Sequence, residues 1–98
     1  MRKAEPERTR NLVLYVRPRT AGEPRIGISA SKKIGNSVVR HRVTRLLREA
    51  FRLHRSALSV SCDLVFVVRK DGAMQGYHAI EASFLKLCRA QGILEEQK

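Results

Sequence analysis

From Ser37 to Leu58 the chain repeats apolar residues at the spacing of an α-helix, and no other stretch restricts the fold as strongly. At ~100° per residue, Val39, Val43, Leu46, Leu47, Ala50, Phe51, His54, Ala57 and Leu58 fall in one arc. A stripe of that width has to be buried against a second layer. The spacing predicts a helix from about Ser37 to about Ala57, with Asn36 or Ser37 as its N-cap. His41, Arg45, Arg48, Arg52 and Arg55 occupy a separate arc of roughly 80°. Arg40 does not join them; its phase sets it at the edge of the apolar arc, where it reaches toward a helix–sheet crevice.

The layer that receives this helix is read from shorter runs. Leu12 to Val16 is β-rich, with Leu12, Leu14 and Val16 on one face and Val13 and Tyr15 on the other. Pro18 to Pro24, containing Gly22, is a turn or loop. Arg25 to Ser31 alternates: Ile26, Ile28 and Ala30 face a core, whereas Gly27, Ser29 and Ser31 form a small polar face. Lys32-Lys33-Ile34-Gly35-Asn36 is a basic loop in which Gly35 supplies an unusual backbone angle. After a connector at Ser59 to Cys62, Asp63 to Val68 reads as a central strand, apolar at both parities. Arg69 to Gly76 is a polar loop, and Tyr77 to Gln91 a second amphipathic helix stopped by Gly92. Tyr77, Ile80, Phe84, Leu87 and Cys88 are its buried residues. The order strand, strand, helix, strand, helix predicts an α/β two-layer sandwich with helices on a small sheet. The division is a flexible lead-in at 1–10, one domain at 11–94 and a tail at 95–98.

The charge is concentrated in the same region. Arg25, Lys32, Lys33, Arg40, Arg42, Arg45, Arg48, Arg52 and Arg55 are opposed between Arg25 and Arg55 only by Glu49, which places +8 of the total +11 there. Like charges on one flank repel until a polyanion neutralises them, and the guanidinium fork suits phosphate. Nucleic acid is therefore the first partner class, ahead of an acidic membrane surface. Tyr15 reads equally as a half-buried strand tyrosine and as a stacking platform for an unpaired base beside Gly27, Ser29 and Ser31, if the first two strands pair.

Other classes fit poorly. Ninety-eight residues, 43% of them hydrophobic, suffice for one core but not for two domains or a large cofactor cavity. The longest apolar run, Leu64 to Val68, is far shorter than the ~20 residues of a membrane span. Cys62 and Cys88 form no disulfide framework, and neither they nor His41, His54 and His78 have metal-ligand spacing. They read as reduced, partly buried thiols of a cytoplasmic protein. No nucleophile–base pair, phosphate-cradling loop or paired carboxylates appear, so no catalytic residue is assigned.

The stretch Arg25-Ile26-Gly27-Ile28-Ser29-Ala30-Ser31-Lys32-Lys33-Ile34-Gly35-Asn36, continued by Arg40-His41-Arg42 and the arginines to Arg52, resembles the signature of the bacterial ribonuclease P protein subunit. The likeness extends more weakly from about Asn11 to about Leu94. The chain departs from the family pattern in having His41 for the usual Asn, Thr44 for the usual Lys, and no spaced phenylalanines in Arg2 to Arg10. The resemblance implies a protein that binds a catalytic RNA and assists Mg²⁺-dependent removal of the 5′ leader from precursor tRNA. The Mg²⁺ is held mainly by the RNA, with no membrane and no obligate protein partner. It implies that Lys32, Lys33, Arg40, His41, Arg42, Arg45, Arg48 and Arg52 contact the catalytic RNA. It further implies that Val13, Tyr15, Ser29, Ser31 and Arg40 form the leader cleft. The implied fold has a left-handed βαβ crossover through the arginine helix, similar to the second domain of ribosomal protein S5. From charge and format alone, a structural RNA-binding protein such as a ribosomal component is the alternative.

Overall fold

A computed structural model describes residues 5–58 and 61–94. Strands β1 (Glu7–Arg8), β2 (Leu12–Pro18), β3 (Arg25–Ser29) and β4 (Cys62–Val68) form one sheet in the order β1-β2-β4-β3. Helix α1 (Ser37–His54) connects β3 to the parallel strand β4, and α2 (Lys70–Ala73) and α3 (Tyr77–Ala90) follow. Single 3-10 turns at Lys32–Ile34 and Arg55–Ala57 flank α1. The predicted two-layer α/β sandwich is present, with β3, α1 and β4 as its crossover unit.

The helices cover one sheet face. Leu12, Leu14, Leu64 and Phe66 from the strands meet Val43, Leu47, Ala50 and Phe51 of α1 and Ile80, Phe84, Leu87 and Cys88 of α3 in one core. Phe66 and Phe84 stack with centroids 5.2 Å apart. Both cysteines are buried and unbridged, and burial, with Cys62 adding to it, pushes the Cys88 thiol up to about 12. These thiols behave as small apolar core groups. Gly92, at φ 73°, ends α3 as predicted, with Ile93 N donating to the Cys88 carbonyl at 3.1 Å.

Three expectations are corrected. β2 and β3 do not pair, because β4 lies between them, antiparallel to β2 and parallel to β3. Being apolar at both parities, β4 fits the centre of the sheet, where both of its edges are hydrogen-bonded. The lead-in at 1–10 is not wholly irregular, since Glu7 and Arg8 pair with Leu14 and Val13 and cover the edge of β2. Pro6 stands just outside that strand, where its missing N–H costs no ladder bond. The loop expected at Arg69–Gly76 contains α2, packed so closely that a Cβ on Gly72 would lie 2.3 Å from the Asn11 carbonyl oxygen. Residues 1–4 of the lead-in, Ser59 and Val60 of the connector, and the tail at 95–98 lie outside the described residues.

Candidate nucleic-acid interface

The basic loop is built by short local bonds. Ser31 Oγ accepts from Lys33 N at 3.3 Å and starts the 3-10 turn that displays Lys32 and Lys33 to solvent. Gly35 follows because a Cβ there would lie 2.9 Å from the Val39 side chain. Asn36 is the N-cap of α1, its Oδ1 accepting from Val39 N at 3.0 Å. These bonds fix where the helix begins, and hence which flank its arginines occupy.

Along α1 the predicted contacts differ in their surroundings. Arg40 is half-buried in a hollow between α1 and the edge of β3, lined by Ile28, Ala30, Ser37, His41 and Thr44. Its Nε is buried with no acceptor among the described residues, a donor left open to an added oxygen. Arg42 Nη2 donates to the Ala73 carbonyl at 2.7 Å and ties α1 to α2. His41, Arg45 and Arg48 are exposed, and no carboxylate among the described residues pairs with Arg45 or Arg48. Arg52 is placed differently: its Nε and Nη2 donate to the two Glu49 oxygens at 3.1 and 2.6 Å. That pair raises the Arg52 guanidinium and holds the Glu49 carboxyl below its usual range. Arg55 pairs with Glu23.

Of the predicted leader residues, Val13, Tyr15 and Ser29 lie on the sheet face that no helix covers. The register places Arg8, Val13, Val67 and Ser29 in one row across four strands, and Tyr15, Val65 and Gly27 in the next. Tyr15 is 47% exposed, so it is a surface tyrosine. It is not adjacent to Gly27; with β4 between them the two are about 10 Å apart, two strand spacings. Val65, 37% exposed, is the floor between them. Ser31 lies past the end of β3 as a turn cap, and Arg40 lies with Ile28 and Ala30 on the helix side of the strand edge. Val65 and Val67 share this face and are not among the residues the sequence singled out. The signal for them was present, since a strand apolar at both parities exposes one apolar face when helices cover only the other.

A sheet with one bare apolar-aromatic face, joined to a helix with unpaired arginines, defines a class: a small α/β protein built to receive a polyanion. The comparisons agree with that class. The family model described as Ribonuclease P matches residues 1–91, and the chain belongs to this family. It is 39% identical over 87 residues to the "Ribonuclease P protein component" of Lachnoclostridium phytofermentans, covering 89% of this chain and 75% of that one. It is 45% identical over 84 residues to that of Clostridium novyi, covering 84% and 74%. The RNase P protein of Staphylococcus aureus superposes with a TM-score of 0.82 at 25% identity, covering 93% of this chain and 84% of that one. The RNase P protein of Thermotoga maritima superposes at 0.79 and 22% identity, covering 87% and 82%, which speaks for the fold alone. The chain is thus a subunit of ribonuclease P, a tRNA-processing ribonucleoprotein enzyme, and the ribosomal alternative is set aside.

Proposed function

We propose that this chain contacts the catalytic RNA of ribonuclease P through Lys32, Lys33, Arg40, His41, Arg42, Arg45 and Arg48. The same reading gives the open sheet face, with Val13, Tyr15 and Ser29 joined by Val65 and Val67, to the 5′ leader of precursor tRNA. Ser31 and Arg40 stand at its rim. The observation that carries it is the buried Arg40 Nε, without an acceptor among the described residues, beside Arg45 and Arg48, which no carboxylate among those residues pairs. A phosphate oxygen would satisfy that donor, and the flank would neutralise neighbouring phosphates.

Among the described residues no three His, Cys, Asp or Glu side chains gather into a metal-binding set, so they do not fit a resident Mg²⁺. In this reading the ion sits on RNA phosphates, where it supplies the hydrolytic chemistry. The chain's own residues position the leader and screen charge, and hold no autonomous active site. No helix among the described residues is long and apolar enough to cross a membrane. In this reading the subunit works in the cytoplasm with its RNA.

Reconstitution with the ribonuclease P RNA of the same genome tests the proposal. At low Mg²⁺ the protein should raise precursor-tRNA cleavage above that of RNA alone, and no gain would overturn the reading. Binding should weaken with a log–log salt slope of around −4 to −6, for roughly six cationic contacts at 0.7–0.9 each.

A further inference from the structure

The arginines divide by what they touch. Where β3 and β4 begin and α1 ends, the chain supplies its own anions. Arg25 Nε and Arg19 Nη1 hold Asp63 at 3.0 and 3.4 Å, Arg52 holds Glu49 with two bonds, and Arg55 holds Glu23. Arg17 also lies in the field of Asp63. Four arginines thus grip three carboxylates contributed by a loop, a strand and a helix. Where β3 ends and α1 begins, Lys32, Lys33, Arg40, Arg42, Arg45 and Arg48 have no carboxylate partner among the described residues. The arginine row on the helix, uniform by sequence phase, is therefore interrupted at Glu49.

We infer that Glu49 and Glu23 limit the RNA footprint of this subunit: they withhold Arg52 and Arg55 from phosphate and confine RNA to α1 from Ser37 to Arg48 and the loop before it. A carboxylate held by two of the three guanidinium nitrogens, as Glu49 is by Arg52, occupies donors a phosphate would take, and an incoming phosphate would also meet its charge. The molecule then presents one end of cations without carboxylate partners and one end whose cations are largely paired, which favours one docking orientation for a polyanion. This rests on the proposed catalytic-RNA contact and names the residues that bound it.

The test is the salt dependence of binding to the ribonuclease P RNA transcript for four proteins besides the unsubstituted chain, each checked for an unchanged thermal midpoint. Arg45→Ala with Arg48→Ala should flatten the slope by about one to two units. Arg52→Ala with Arg55→Ala should change it by less than about half a unit. Glu23→Gln with Glu49→Gln should steepen it by about one to two units, because two guanidinium groups are released. The double Glu49→Gln/Arg52→Gln chain, which removes one pair without leaving a bare charge, should bind within about twofold of the unsubstituted one. Equal flattening by the two arginine pairs, or no steepening on removing the glutamates, overturns the inference while leaving the RNA contact standing. A slope near zero for the unsubstituted chain overturns both.

Discussion

Gly35 and Tyr15 show how much rests on single side chains. Gly35 sits at φ 156° with its missing Cβ directed at Val39, whose backbone N–H the Asn36 cap also uses. Gly35→Ala should therefore push the first turn of α1 off its cap, costing about 1–3 kcal/mol, to be read as a lowered unfolding midpoint. Tyr15 has its ring in solvent on the open face, which distinguishes it from a core tyrosine. If a leader base stacks on it, Tyr15→Ala should weaken precursor tRNA relative to mature tRNA by about 1–3 kcal/mol. Equal losses for the two substrates would reduce Tyr15 to a structural role. Tyr15 was legible as a candidate because strand parity assigns faces; its neighbours were not, because parity says nothing about which strand lies alongside.

At the scale of elements, α1 and α3 are joined by a hydrogen bond that the helical period could not disclose. His54 Nε2 lies 2.7 Å from Glu81 Oε2, and the Tyr77 hydroxyl donates to the same oxygen at 3.3 Å. The His54 bond holds the Glu81 carboxyl below its ordinary range, and burial, with Glu81 adding to it, pushes the Tyr77 hydroxyl up. A depressed carboxyl stabilises the fold above its unfolded value and loses that contribution as pH falls through the folded one. Glu81→Gln should lower stability near neutral pH by about 1 kcal/mol, and the gap should narrow below the usual carboxylate range. Thermal midpoints at both pH values check this; a gap independent of pH would mean that the pair adds nothing through its charge. His54 was expected in the apolar arc, and it does lie there, half-buried. What phase could not supply was Glu81, 27 residues away and brought alongside only by helix packing.

For the molecule as a whole, one core supports both faces of the sheet. Phe84 is fully buried against Phe66, the residue of β4 flanked by Val65 and Val67 of the open face. Phe84→Ala should cost about 3–5 kcal/mol, a large share of the 5–15 kcal/mol that such a domain has in all. Denaturant midpoints would measure it, and binding to the leader should fall in parallel as the folded fraction falls.

Local spacing along the chain determined the helix faces, a cap at Asn36 or Ser37, the stop at Gly92 and the row of arginines, because each depends on residues within a turn or two of one another; the structure chose Asn36 for the cap. Strand order and charge pairing were decided only in three dimensions. β4 comes between β2 and β3 because its two apolar faces suit a central position, a competition among strands that no local spacing records. Arg52 and Arg45 share a phase and a residue type, yet one is held by Glu49 and the other has no carboxylate partner among the described residues. Glu23 lies in the loop before β3 and meets Arg55 just past the end of α1, a pairing between residues 32 apart that no local spacing records.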